Sequence, residues 1–417
     1  MKVLILAEQC NPDWPSLPGF SYALANEIAK KTTVVLVTHI RNKQNIETTE
    51  NKVIKEIIYI DTEVIAKPLH KLSEFLRKIG IGGWMTKMAL KYPQYILFEK
   101  KIYNLLQERI EQGEFSCIHR ISPVSPTLPS LLSSKVTTPF ILGPLNGSLP
   151  WPKQYTEEIK KERELISHIR NIFKYFPYYK KSFQSSTVIL SAFKHSDNDV
   201  PLTERHKIIR YNELGVDTSS YSPLESKKYN KNKTRFLFVG RLVPYKGAHV
   251  LINAFVKSKL LQINSELIIV GDGPERQYLQ ELISSNNLDG IVKIEGWKTQ
   301  SEVAEYMRNA DIFAFPTIRE VGGNVIIEAL SSGLPCIVPN YGGPSELVDE
   351  TIGIKIPLSD KETFLNAYIR SMEELSKDSV KVEMLSKSAR KRALEQHSWE
   401  ARALDAVKIY KSLNTIN

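Results

Sequence analysis

No stretch of the 417-residue chain approaches the run of about 18 apolar residues that a membrane-crossing helix needs. Cysteine is scarce. Cys10, Cys117 and Cys336 are far apart and odd in number. They offer neither a disulfide framework nor metal-ligand spacing, and they point to a reducing compartment with all three as small core residues. The opening MKVLILAEQCNPDWP has no long apolar h-region and no small-residue cleavage site. It reads as a first strand, not a signal peptide, and the expected location is the cytoplasm. Heptads, low-complexity tracts and solenoid repeats are missing. Acidic residues also fall short: 46 against 56 basic ones, a formal net charge of +10. Such an excess suits nucleic acid, an anionic bilayer or a phosphorylated ligand, or it is only a solvated basic surface. No helix-turn-helix, zinc or ribonucleoprotein signature accompanies it, which argues against nucleic acid.

What is present is ordinary globular material, 42% hydrophobic and 24% charged, in a chain too long for one core. Runs at 2–7, 33–38, 115–121, 138–143 and 187–191 read as strands in the first half. Those at 235–240, 266–271, 291–296, 311–316 and 334–339 read as strands in the second. They are apolar throughout, as strands buried on both faces of a parallel sheet are. Helical patterns at 21–30, 247–260, 275–286, 301–310 and 324–332 alternate with them. The expected fold class is α/β: two Rossmann-like, doubly wound parallel-sheet domains. The break falls near the polar, proline-containing 196–207, giving domains of 1–203 and 204–396.

Residues 67–110 and 151–183 interrupt the first half. The second holds Lys153, Lys160, Lys161, Arg163, Arg170, Lys174, Lys180 and Lys181 among aromatic rings. Such segments suit an anionic membrane surface; they equally suit a helix packed on the domain with a solvated basic face.

Three strand ends carry chemistry. In FVGRLVPYKG (238–247), Gly240 ends a strand, Arg241 leaves it, and Lys246 stands at the next helix. Two cations there suit the separate oxygens of a diphosphate. In IIVGDGPER (268–276), Gly271, Asp272 and Gly273 form a turn that would admit a nucleoside, or is only a tight strand-to-helix connection. In REVGGNVIIEALSSGLP (319–335), Gly322 and Gly323 precede a helix whose first amides, at Asn324 and Val325, can hold a phosphate. Glu328 lies about 6 Å along that helix and its side chain tilts back toward the amides. It can accept from ribose hydroxyls. Glu320 stands before the glycines and can accept from a sugar.

GRLVPYKG, IIVGDGPER, REVGGNVIIEALSSGLP and PNYGGPSELVDETIGI resemble, in order and spacing, the retaining GT-B glycosyltransferases of the GT4 family, the glycosyl transferases group 1. The likeness covers nearly all of 235–356. YNELGVDTSSYSP resembles the family's interdomain segment, with Leu214 where the family usually has asparagine. HSWEARALDAVKIYKSL resembles its closing helix, which implies that 397–417 crosses back to the first domain. The resemblance implies two domains facing a cleft, a nucleotide-sugar donor held by the second, an acceptor held by the first, retention of configuration, and no cofactor or metal. Arg241 and Lys246 would neutralise the leaving diphosphate. Glu320 would hold the transferred sugar and Glu328 the ribose. Gly19, in LPGFSYALANEIAK, would bring its backbone to the diphosphate, with Pro18 where a glycine is usual. His119, in IHRISPVSP, would lie near the transferred sugar, although a histidine at a strand end is often structural. GPLNGSLPWP (143–152), with Asn146 and Gly147, would line the acceptor side.

The expected activity is transfer of a hexose-type sugar, from a UDP-sugar first and GDP-mannose next, to a glycan or lipid-linked acceptor in surface-glycan assembly. The expected site is the cytoplasm or the inner face of the plasma membrane. A small soluble acceptor, or a GT-B-fold epimerase or hydrolase, is the alternative. Asp197-Asn198-Asp199 has the D-x-D form of a metal clamp, but it follows no apolar strand directly and reads as a polar loop.

Overall fold

The computed structural model describes residues 1–78, 84–155, 172–225 and 233–413. Much of the segments 151–183 and 67–110 is therefore available, but residues 156–171, with Lys160, Lys161, Arg163 and Arg170, lie outside the described residues. The chain packs as two units. One comprises Met1–Ser148, Arg163–Glu213 and Trp399–Asn417; the other comprises Leu149–Glu162 and Leu214–Ser398.

The first unit is built on strands β1 (Lys2–Ala7), β2 (Thr33–His39), β3 (Glu56–Ile60), β4 (Cys117–Ser122), β5 (Phe140–Leu145), β6 (Val188–Ser191) and β7 (Ile208–Arg210). Their order is β3-β2-β1-β4-β5-β6-β7, and every pairing is parallel. Period-two alternation divides β1 between two cores. Val3, Ile5 and Ala7 pack with helices α1 (Leu17–Ala29) and Trp399–Leu413, while Leu4 and Leu6 meet Phe98 and Ile102 on the other face. Phe98 and Ile102 belong to α3 (Trp84–Glu111), which follows α2 (Glu63–Lys78). An uninterrupted apolar run is what such double-sided burial requires.

The second unit has β8 (Thr234–Val239), β9 (Ser265–Val270), β10 (Val292–Gly296), β11 (Ile312–Ala314), β12 (Cys336–Pro339) and β13 (Gly353–Ile356), in the order β10-β9-β8-β11-β12-β13, again parallel. Helices α4 (Ala248–Lys257), α5 (Arg276–Ser285), α6 (Gln300–Asn309) and α7 (Asn324–Ser331) connect these strands, and Trp399–Leu413, in the first unit, is α8. The expected α/β class with two parallel sheets is borne out. Strands β3, β7 and β13 were not expected. Each is the outermost strand of its sheet or short, and none is apolar throughout. The three cysteines are buried and unbridged.

Candidate active site

Each sheet reverses its strand order once, between β1 and β4 in the first unit and between β8 and β11 in the second. Open α/β sheets bind ligands outside the carboxyl ends of the strands at such a reversal. In the second unit, the loop after β8 carries Arg241 and Lys246, and the loop after β11 carries Glu320. The two loops meet: Lys246 Nζ forms an ion pair with Glu320 Oε2. Lys246 also sits 5.1 Å from the ring centroid of Phe315 and 5.5 Å from that of Tyr245. Arg241 is exposed, one residue beyond Gly240. A lysine held by a single carboxylate and two rings has ammonium protons to offer an anion.

The glycines explain how these loops approach. Gly343 donates its amide to the carbonyl of Glu320 at 3.0 Å, and a Cβ on Gly343 would stand 1.9 Å from the Gly322 oxygen. The YGGPSELV turn thus clamps the loop that carries Glu320. Gly323, at φ 113°, precedes α7 in the left-handed region that favours glycine. The first turn of α7 presents amides at Asn324 and Val325 that have no partner within the helix. Asn324 Nδ2 donates to Glu328 Oε1 at 2.5 Å, and Asn324 Oδ1 is buried with no hydrogen-bond partner among the described residues. Loss of hydration pushes the Glu328 carboxyl up to about 7, against the opposing effect of the Asn324 hydrogen bond.

Gly271, Asp272 and Gly273 are accounted for by packing. A Cβ on Gly271 would meet the Gly240 carbonyl oxygen at 1.9 Å, and one on Gly273 would meet the Leu242 oxygen at 2.4 Å. Asp272 accepts from the Gly273 amide at 2.7 Å and from Arg276 Nη1 at 2.9 Å. The close approach these glycines permit is that of one loop to its neighbour.

In the first unit the expected residues separate. Gly19 lies inside α1, where a Cβ would meet the Trp14 carbonyl oxygen at 2.6 Å. The reading of His119 beside a transferred sugar needs correction. Its side chain is fully buried, and both ring nitrogens are engaged within the fold. Nε2–H donates to the Gly143 carbonyl at 2.8 Å, and the Tyr410 hydroxyl donates to Nδ1 at 2.6 Å. Burial depresses its pKa to about 4, so the ring is neutral. The loop after β5 is anchored by Asn146 N donating to the Val124 carbonyl at 2.8 Å and Gly147 N donating to Ser196 Oγ at 3.3 Å. Asn146 Nδ2 donates to the buried Glu213 carboxylate, whose pKa burial raises. Asp197 binds Arg210 and Ser191, and Asp199 accepts from Ser148, so both carboxylates tie the fold together.

Residues 223–392 match the family model described as glycosyl transferases group 1. All of these residues belong to the second unit. An uncharacterised glycosyltransferase of Methanocaldococcus jannaschii is 29% identical over 66% of this chain and 68% of its own length. The 2-deoxystreptamine N-acetyl-D-glucosaminyltransferase of Niallia circulans is 28% identical over 48% of this chain and 57% of its own. The Escherichia coli UDP-Gal:alpha-D-GlcNAc-diphosphoundecaprenol alpha-1,3-galactosyltransferase is 31% identical over 38% and 44%. The chain thus spans between about half and two thirds of these relatives. Among solved structures, sucrose-phosphate synthase of Thermosynechococcus elongatus superposes with a TM-score of 0.65 at 17% identity over the whole of both chains. Anabaena HepE, in complex with UDP and glucose, gives 0.60 at 16% over 99% of this chain and 100% of that one. These likenesses establish the GT-B fold.

The matched residues 223–392 run from ahead of β8 to beyond β13 and so contain the Lys246–Glu320 pair and the Asn324–Glu328 pair. Sequence reading missed one contributor to their surroundings. GPLNGSLPWP was assigned whole to the acceptor side, but Leu149–Tyr155 packs in the second unit. The Arg319 guanidinium lies 4.7 Å from the Trp151 ring centroid, and Arg319 Nε donates to the Leu149 carbonyl at 3.3 Å. The available signal was compositional: a tryptophan between two prolines in a loop.

Proposed function

We propose that the protein is a retaining hexosyltransferase that takes a sugar from a nucleotide diphosphate, UDP before GDP, and transfers it to a glycan or lipid-linked acceptor in surface-glycan assembly. The observation that carries the donor half is the meeting of Lys246 and Glu320 at the strand-order reversal, with Asn324 and Glu328 one helix turn beyond. An arriving diphosphate replaces Glu320 at Lys246 and takes further charge from Arg241 and the α7 amides. The released Glu320 accepts from the sugar, and Glu328 accepts from the ribose. The acceptor hydroxyl attacks the anomeric carbon on the face that the diphosphate leaves. The carbon–oxygen bond to phosphate breaks, the new glycosidic bond forms, and the hydroxyl proton passes to the departing phosphate oxygen. The protein supplies electrostatic stabilisation and positioning. Asn146 and Gly147 serve the acceptor from the first unit.

A thermal-shift screen of nucleotide sugars, followed by transfer assays on the hits, tests this reading. Turnover should persist in EDTA. Strict dependence on Mn²⁺ or Mg²⁺ would count against the mechanism and return attention to Asp197 and Asp199. Donor conversion that never requires an acceptor would favour the epimerase or hydrolase alternative. The names of the relatives support a lipid-linked acceptor, since the Escherichia coli enzyme's own acceptor is a diphosphoundecaprenol-linked sugar.

A further inference from the structure

The segment Leu149–Tyr155 follows β5 in sequence, yet it runs along the carboxyl edge of the second sheet. Its contacts touch the loops after four strands. Trp151 meets Tyr245, after β8, edge to face at 5.8 Å between centroids. Leu149 and Trp151 both hold Arg319, after β11. The Pro150 carbonyl accepts from the Tyr341 hydroxyl, after β12, at 2.8 Å. Tyr155 donates its hydroxyl to the Ser359 carbonyl, after β13, at 2.9 Å. Leu149 is buried, and a Cβ on Gly342 would stand 2.7 Å from its Cδ2 and 2.4 Å from the Glu320 carbonyl oxygen.

Trp151 is the shared element in this arrangement. One of its neighbours, Tyr245, directly precedes Lys246; the other, Arg319, directly precedes Glu320. The indole therefore braces both loops whose next residues form the ion pair. A tryptophan ring is large and has two rotatable side-chain bonds, so it fixes two loops at a small entropic cost. The guanidinium over its face adds an attraction that an aliphatic side chain cannot supply.

We propose that Trp151 is a positioning residue for Lys246 and Glu320, and that the segment Leu149–Tyr155 completes the diphosphate site of the second unit. This rests on the donor reading given above. Trp151 itself touches no reacting atom. It sets the distance between the lysine that meets the diphosphate and the glutamate that must release it. A nucleoside without phosphates has no use for that distance.

Calorimetric titration with UDP and with uridine tests the assignment, using wild type, Trp151→Leu, Trp151→Phe and Lys246→Ala. Trp151→Leu is expected to weaken UDP about tenfold, equivalent to about 1.4 kcal/mol of binding free energy. Uridine should bind it as it binds wild type, and Trp151→Phe should recover most of the UDP affinity. If Trp151→Leu fails to fold, Arg319→Leu removes the same brace from the other side and should reproduce the loss. UDP affinity unchanged in the leucine variants, while Lys246→Ala loses it, overturns the inference and leaves the donor reading standing. Equal loss of UDP and uridine also overturns it, because that is a general structural effect. A wild type that binds neither UDP nor GDP overturns the donor reading and this inference together. If GDP is the ligand, guanosine replaces uridine.

Discussion

Glu320 and Glu328 are two carboxylates on one short stretch, and their surroundings give them different tasks. Glu320 is paired with Lys246, a partner that a diphosphate can take over. Glu328 has the neutral Asn324 amide beside it, and burial raises its carboxyl from an ordinary 4.5 to about 7. Glu320→Gln should mainly lower kcat, because its proposed contact is with the reacting sugar. Glu328→Gln should mainly raise donor KM, because a ribose contact is the same in ground and transition states. Matched losses in both parameters for both variants would contradict this placement. Lys246→Ala and Arg241→Ala should each cost about 2–4 kcal/mol of transition-state stabilisation, read from kcat/KM. The Glu328 shift also has a sign in stability. A raised carboxyl binds its proton more tightly in the folded than in the unfolded state. Its contribution is thus fully present below pH 4.5 and lost as the pH rises through about 7. Glu328→Gln escapes that loss. At 1.36 kcal/mol per pKa unit, it should be up to about 3 kcal/mol more stable than wild type at pH 8, with no such advantage at pH 4. Urea denaturation at the two pH values measures the difference. Wild-type donor KM should fall over the same range as the carboxylate ionises, while the variant's stays level.

At the scale of elements, His119 joins three of them. It lies on β4, donates to the end of β5, and accepts from Tyr410 on α8. Burial away from water favours the neutral ring there. With its pKa depressed from 6.5 to about 4, it contributes stability that is present above pH 6.5 and lost as the pH falls through 4. The loss is about 3 kcal/mol when complete. Tyr410→Phe leaves Nδ1 buried without a donor and should cost about 1–3 kcal/mol at pH 7, measured by chemical denaturation. A pH-independent stability between 7 and 4 would remove His119 from this role. The same residue marks the limit of what was legible in the sequence. Strands such as β1 and β9 could be read because burial on both faces demands an unbroken apolar run. β3, β7 and β13 could not, since edge or short strands carry no such demand. The loops of Lys246, Glu320 and Glu328 could be placed because each follows a legible strand. The face on which His119 lies could not, because a strand apolar on both sides gives no inward or outward period. Gly271 and Gly273 were visible as special positions, but their reason lies in Gly240 and Leu242, one strand away. Trp151 was assigned by its place in the chain, and packing placed it in the other unit.

At the scale of the whole molecule, the net charge of +10 needs a partner or a reason to be merely solvated. No described helix is long and apolar enough to cross a membrane. The helix α2 nevertheless exposes Val64 by 85%, Leu72 by 43% and Phe75 by 58%. Their spacing of eight and three residues puts them on one helical face. Lys67 and Lys71 are exposed on the same helix. In the other basic segment, Tyr175 is 87% exposed, and Lys180 and Lys181 are exposed with it. Exposed apolar and aromatic side chains flanked by lysines match a surface that rests at the headgroup level of an anionic leaflet. Each basic residue near such a surface contributes about 1 kcal/mol, and salt screens that contribution. A lipid-linked acceptor would require this location, whereas a small soluble one would not. The expected result is co-sedimentation with vesicles containing phosphatidylglycerol and none with phosphatidylcholine alone. Binding should weaken as salt is added. It should fall when Lys174, Lys180 and Lys181 become Glu, and also when Val64 and Phe75 become Ser, because both charge and apolar contact are needed for stable attachment. Protein that stays in the supernatant with anionic vesicles at low salt would reduce the basic surface to a solvated one. A small soluble acceptor would then be the better reading of the first unit.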